Sequence, residues 1–498
     1  MLLPPLIETE RLQLRRPRPT DAWRIAEAVE ETLPDLAKWF RWGEPLARYG
    51  DLEDMGARAV TGRRRFDELS NPVYFIWHDF TFVGEILMNN PHEASEGVVE
   101  LQLWIRRSAQ KRGYGTEALQ AIVRHLLEVQ GCPTLEALVD ARNASSRKLF
   151  QQAGFVPYGN RDDHTRYILS AEDAGIRERY LGVVVLTHPE CLEHQVGTDH
   201  PERPERLGAV MEGMRGLDIT LLGAPRDWGS VALAHPETRP EQLDDAAPEE
   251  GVTSIDPSTD ISAYSVNAAL RGVGGVVSAV DLVRAGRASS VFVATRPPGH
   301  HAEREQTMGF CLFATAAIGA LHAVRSRKFG RVAVFDFDVH HGNGTQSILE
   351  NEPDILFIST HEAYLFPQTG AASEIGCGNV LNVPMEPHTS GSAYRRRVAN
   401  EVLPRLRVFA PELIIVSAGF DGHERDDRST MTLNAEDYRW VTTKVRELAP
   451  VVSVLEGGYD LVALALSARA HVEALIEAQS AAPTFSSSTA HGAAIGIS

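Results

Sequence analysis

The stretch VAVFDFDVHHGNGT, Val332 to Thr345, reads as a buried strand ending in Asp336, Asp338 and His340, spaced by two. In extended chain, residues i and i+2 project to the same face, so Asp338 and His340 can converge on one metal ion. A carboxylate with an imidazole is a mixed donor set that suits zinc, iron or manganese.

Three further segments have the same form: LIIVSAGFD reaches Asp421, VVSVLEGGY reaches Tyr459, and VFVAT continues through RPPG into His300 and His301. Together with VVVLT, ILFIST and VLNVP these runs are apolar on both faces and are separated by helical stretches, the pattern of parallel strands covered by helices on both sides. Such sheets collect ligands beyond the carboxyl ends of their strands. A single strand-end Asp is ordinarily a turn or a helix cap. Four strand ends carrying metal- or proton-competent groups argue instead for a site.

Residues 1–170 follow another rhythm, with strand candidates VYFIW (Val73 to Trp77), FVGEILM (Phe82 to Met88) and VVELQLWI (Val98 to Ile105) among amphipathic helices. After the last of these, QKRGYGTEALQAIVRHLLE is a glycine-containing turn that opens a helix, whose free N–H groups and positive dipole end suit a phosphate. The fold class is therefore α/β: an α+β domain over 1–170, a charged linker over 171–181, and an α/β/α domain with a mostly parallel sheet over 182–479. The small, polar tail 480–498 reads as disordered. Residues 225–262, rich in Pro, Asp and Glu, read as a surface excursion of the second domain.

The length of 498 residues fits two or three domains, and 43 % hydrophobic with 23 % charged residues excludes a disordered chain and a membrane protein. A net charge of -18 disfavours nucleic-acid binding and gives a weak preference for cationic substrates; 41 of the 67 acidic residues lie beyond residue 175. Cys132, Cys191, Cys311 and Cys377 form no CxxC pair, and the N-terminus has no signal-peptide pattern, so a reduced, cytoplasmic location is expected. The apolar run Phe310 to Val324 is shorter than the roughly 18 residues of a membrane span and reads as a buried helix.

The run Gln110-x-x-Gly113-x-Gly115 resembles the pyrophosphate-binding turn of GNAT acetyltransferases. ETERLQLRR, ETLPDLAKWFRW and NASSRKLFQQAGF (Asn143 to Phe155) are similar to the branch that acetylates protein N-termini and related amines. This resemblance implies acetyl-CoA cradled by Gln110, Lys111, Arg112, Gly113, Tyr114, Gly115 and Thr116, with Asn143 touching its pantetheine arm. Glu100, late in the strand before the turn, takes the position of the branch's candidate base, although it reads equally well as a surface-facing strand residue. Phe150 stands where many members carry a tyrosine that protonates the departing thiolate, and a phenyl ring cannot donate that proton.

RPPGHH, DFDVHHGNGT, SAGFD, LEGGY and the entry THPECLEH…GTDHPERPERL resemble the histone deacetylase and acetylpolyamine amidohydrolase family over about residues 181–475. The resemblance implies an arginase-like three-layer fold, one zinc held by Asp338, His340 and Asp421, and hydrolysis of acetyl amides. It makes His301 the general base and then the acid, His300 its electrostatic partner oriented by Asp336, and Tyr459 the donor to the oxyanion. Asn343 stands where part of the family has an Asp, so it orients His301 without adding charge. A potassium site is implied by Asp336, Ser359 and the carbonyls of Asp338, His340 and Thr360. Arg206 resembles the arginine of the product channel, and His200 and Glu202 read as structural. Around ISAYS (Ile261 to Ser265), where relatives often read SPGS, the rim departs from the pattern. The expected partners are an acetylated protein or small amine, with no nucleic acid and no membrane; a homo-oligomer is compatible with the sequence. The alternative reading is a binuclear-metal hydrolase of small amides or guanidino compounds, with the N-terminal domain a non-catalytic acetyl-CoA-binding or docking module.

Overall fold

The computed structural model describes residues 4, 6–39, 72–89, 98–130, 132, 134–161, 163–171 and 180–480. The expected linker at 171–181 and tail at 480–498 lie almost wholly outside the described residues, as does the end of the ETLPDLAKWFRW segment.

Strands β1 (Leu6–Glu8), β2 (Gln13–Arg15), β3 (Val73–His78), β4 (Thr81–Asn89), β5 (Val98–Ile105), β6 (Thr134–Asp140), β7 (Val156–Arg161) and β8 (His164–Ser170) form one sheet in the order β1-β2-β3-β4-β5-β6-β8-β7. Alternation along β3 divides its side chains: Tyr74 and Ile76 share a core with Ala118, Leu119 and Ile122 of helix Tyr114–Arg124. Phe75 and Trp77 share another with Ile25 and Val29 of helix Ala22–Trp39. The sheet is antiparallel except at β5–β6, which pair in parallel only from Val98 to Glu100 against Thr134 to Glu136. Beyond Glu100 these two strands part, and a cavity of about 1160 Å³ opens between them. Glu100, the third residue of β5, stands where the gap begins rather than late in the strand.

The second sheet holds β9 (Val183–Thr187), β10 (Thr220–Gly223), β13 (Ser290–Val293), β14 (Val332–Asp336), β15 (Ile355–Glu362), β16 (Val380–Met385), β17 (Leu413–Ala418) and β18 (Val451–Leu455). Its order is β10-β9-β13-β18-β17-β14-β15-β16, and all its pairings are parallel. Period-two alternation sends Val184 and Leu186 into one core and Val183 and Val185 into the other, so both faces of the sheet are covered. Truncating a side chain as buried as Phe335 costs roughly 3–5 kcal/mol in such a core.

Residues 225–262 are more than a surface excursion. They include helix Arg239–Ala246 and the hairpin of β11 (Thr253–Asp256) and β12 (Thr259–Ile261), and they lend Val231, Leu243 and Ile261 to the core. The apolar run from Phe310 is helical only from Thr315, in the buried helix Thr315–Arg325; Phe310 to Ala314 lead into it as a turn. Helix Ser265–Arg284, which the sequence reading passed over, has the length and apolarity of a membrane span, but 67 % of that span is buried inside the protein.

Candidate active site

The four chemical segments hang from β13, β18, β17 and β14, four neighbouring strands in the middle of the sheet. The strands end earlier than the sequence implies: β14 at Asp336, β17 at Ala418 and β18 at Leu455. Asp338 and His340 therefore converge from a loop, and not through strand pleating. The loop is held by its own carboxylates, with Asp338 N donating to Asp336 Oδ1 (3.1 Å) and His340 N to Asp338 Oδ1 (2.9 Å).

One nitrogen of His340 and one carboxylate oxygen each of Asp338 and Asp421 lie within 4.8 Å of one another. His340 Nδ1 is 3.1 Å from Asp338 Oδ1 and 3.0 Å from Asp421 Oδ2. Each aspartate is anchored through a backbone donor, Gly457 N to Asp338 Oδ2 (2.8 Å) and Val339 N to Asp421 Oδ1 (3.0 Å). A side chain at 457 would put its Cβ 2.3 Å from Asp421 Oδ2, so only glycine lets the backbone approach this closely. Two carboxylate oxygens and one imidazole nitrogen fit a divalent ion of zinc's character, with coordination positions to spare. Among the described residues a second group, His300, Cys311 and Glu456, also converges. Its donors are already engaged: Glu456 accepts from Gly299 N and His300 N, and His300 Nδ1 donates to Asp336.

The rings of the histidine pair lie tilted by 39° with centres 4.0 Å apart, and the His301 ring lies 5.9 Å from that of His340. His300 Nδ1 is 3.0 Å from Asp336 Oδ2; His301 Nδ1 is 2.8 Å from Asn343 Oδ1. Burial opposes charge on His300, but Asp338 and Asp336 outweigh it and hold its pKa well above the ordinary histidine value. Burial, then the neighbouring His300 and His340, push His301 well below that value. The two imidazoles are thereby differentiated, one charged and one available to accept a proton.

Tyr459 follows Gly458, whose φ of +117° is the left-handed backbone that favours glycine. The buried Arg206 guanidinium holds this turn: it donates to Gly458 O (2.6 Å) and to Glu456 O, and lies over the Tyr459 ring at 4.8 Å. Glu202 in turn pairs with Arg206 and, through both carboxylate oxygens, with Arg296 (2.8 and 2.7 Å). His200 accepts from Glu202 N. At the potassium-like position, register sets Asp336 beside Ser359; Ser359 Oγ bonds His361 and Thr360 Oγ1 donates to Asp336 O (3.4 Å).

Several residues here went unassigned in the sequence. Phe366 packs edge-on against His301 (4.9 Å) and Phe310 against Tyr459 (5.9 Å), giving the site aromatic walls. Asp426 accepts from both Tyr459 N (2.6 Å) and Asp460 N (3.0 Å). Glu456 stood inside the quoted LEGGY motif without a role, and Phe310 opens the FCLF run.

Residues 200–475 match the family model of the histone deacetylase domain. The chain belongs to the histone deacetylase family. The histone deacetylase-like amidohydrolase of Pseudomonas aeruginosa is 37 % identical over 280 residues, 53 % of this chain and 72 % of that protein. A probable deacetylase of Methanothermobacter thermautotrophicus is 37 % identical over 315 residues, 60 % of this chain and 94 % of its own length. Among solved structures, that of the HDA15 HD domain aligns with a TM-score of 0.57 at 30 % identity, covering 60 % of this chain and 89 % of that one. This deacetylase-family domain is preceded by an acetyltransferase (GNAT) domain, matched over residues 11–156.

In the GNAT domain the cavity between β5 and β6 is lined by Gln110, Lys111, Gly113, Tyr114, Gly115 and Thr116, while Arg112 does not face it. Gly113, at φ +83°, caps helix Tyr114–Arg124, whose first turn leaves N–H groups without intrahelical partners. Asn143 and Phe150 also line the cavity. Asn143 caps helix Ala144–Gln152 by accepting from Ser146 N (3.1 Å), and Phe150 packs on Phe155. Glu100 lines it too, accepting from Gln102 Nε2 (2.9 Å).

Proposed function

We propose that residues 182–479 are a zinc-dependent deacetylase hydrolysing acetyl amides of lysine side chains or of polyamines and other small amines. The observation that supports this most is the convergence of Asp338, His340 and Asp421 beside the His301 ring. Those three residues would hold one zinc ion. Bound there, zinc supplies Lewis acidity toward the acetyl carbonyl and lowers the pKa of water. His301 takes the proton of the attacking water and returns it to the departing amine nitrogen. His300, bonded through Nδ1 to Asp336, would add positive potential beside it when protonated. Tyr459 donates its hydroxyl proton to the negative charge growing on the carbonyl oxygen. Phe310 and Phe366, packed on Tyr459 and His301, would flank the acyl group.

The test is hydrolysis of acetyl-lysine peptides and acetylated polyamines before and after chelation and zinc replacement. About one zinc per chain and activity that returns with zinc support the reading. A His301→Ala protein that hydrolyses at the wild-type rate refutes it. We also propose that the GNAT domain binds acetyl-CoA at Gln110 to Thr116 and Asn143, and transfers acetyl to amines with Glu100 as base. Phe150 favours a second reading, binding without transfer. Acetyl transfer by full-length His301→Ala, in which deacetylation cannot mask the product, decides between them.

A further inference from the structure

Asn343 cannot by itself fix the protonation of His301, because an amide presents a donor on one side and an acceptor on the other and can be flipped. The structure removes that freedom. Asn343 Nδ2 lies 2.7 Å from Glu303 Oε1, and an ionised carboxylate only accepts. The amide nitrogen must therefore face Glu303, and its second hydrogen points toward Met308 Sδ at 3.4 Å. Oδ1 is left facing His301 Nδ1 at 2.8 Å, so that ring nitrogen must carry hydrogen, and the neutral ring is held as the tautomer whose Nε2 is bare. Glu303 sits in a turn closed by its own N–H to Gln306 O (2.9 Å), two residues beyond His301. The start of helix Asn343–Leu349 presses on the same backbone: Thr345 N donates to His300 O, and a Cβ at Gly344 would stand 2.2 Å from Ala302 O.

We infer that Glu303 is a positioning residue for the hydrolysis, orienting Asn343 so that His301 presents an unprotonated Nε2 to the reaction. This rests on the reading of His301 as the base. It also changes what Asn343 means: the negative charge that a carboxylate at 343 would supply is present one hydrogen bond further away.

The experiment uses the full-length protein and a fluorogenic acetyl-lysine peptide, with kcat and KM measured for E303A, E303Q, N343D, the double variant N343D/E303Q and H301A. E303A is expected to lose about tenfold or more in kcat, a fraction of a general base's typical contribution, with KM little changed. E303Q offers Asn343 a donor as well as an acceptor and so restores the flip; its kcat should fall between those of wild type and E303A, with KM little changed. N343D sets two carboxylates against each other and should be slow. N343D/E303Q reverses the polarity of the bond, the new amide donating to the new carboxylate, and should recover. An E303A rate near wild type beside an inactive H301A overturns this inference alone, as does a double variant no faster than N343D. An active H301A overturns the reading of His301 and this inference with it.

Discussion

Glu202 offers the sharpest test of how the site is held. It is fully buried and is the shared acidic partner of two buried guanidiniums, through three contacts of 2.7–2.8 Å, with His194 Nε2 at 3.3 Å. Burial alone would raise its pKa, but Arg296, His194 and Arg206 outweigh it and hold the carboxyl far below the ordinary range. Glu202→Gln keeps the shape and removes the charge, leaving Arg206 and Arg296 uncompensated. Breaking a buried pair in this way costs roughly 3–5 kcal/mol. At about 2.1 cal/mol/K per residue, a domain of roughly 300 residues shifts by about 1.6 °C per kcal/mol, so the second domain's Tm should fall by about 5–8 °C, read by calorimetry at pH 7. Because the folded pKa is depressed, the stabilisation is present above the unfolded value of 4.5 and is lost as pH falls below it. The gap between wild type and variant should therefore narrow on acidification below that pH. A shift under about 3 °C at pH 7 would mean that the cluster is worth less than about 2 kcal/mol, and the reasoning fails.

Gly457→Ala should drive both aspartates apart, since its Cβ would stand 2.3 Å from Asp421 Oδ2 and 2.6 Å from Asp338 Oδ2; bound zinc by elemental analysis should fall while circular dichroism stays unchanged. Asp426→Ala should leave the N–H groups of Tyr459 and Asp460 without their acceptor, at roughly 1–3 kcal/mol each, and lower kcat with zinc content unchanged. Gly113→Ala forces a side chain into φ +83°, a cost of roughly 1–2 kcal/mol, and should weaken acetyl-CoA binding by calorimetric titration. Gly115→Ala, inside the helix with Ile105 Cγ1 at 3.3 Å from the new Cβ, should weaken it less.

The architecture of the deacetylase-family domain was legible because a strand buried on both faces must be apolar throughout, so polar residues stand out where it stops. That logic located Asp336, Asp338, His340, Asp421 and Tyr459, while crediting to strand pleating a convergence that a loop performs. β10 escaped notice because TLLG is too short to show a pattern. Glu303 and Asp426 escaped for another reason. Their partners Asn343 and Tyr459 stand 40 and 33 residues away, and only the fold makes them neighbours. Phe366, similarly, belongs to no motif and meets His301 only in three dimensions. In the GNAT domain the turn was legible, whereas the cavity depends on where β5 and β6 cease to pair, which neither strand shows alone.

The placement of the chemistry on four adjacent central strands has a mechanical corollary. The reacting groups are tied to the rigid middle of the sheet, while the segment 225–262 and the stretch around Tyr364 and Phe366 lie outside those four strands. Both segments nonetheless reach the centre: Phe366 packs on His301, and Ser258 Oγ and Thr259 Oγ1 accept from Gly309 N and Phe310 N, so a change in either one is transmitted to the aromatic walls around the reacting groups.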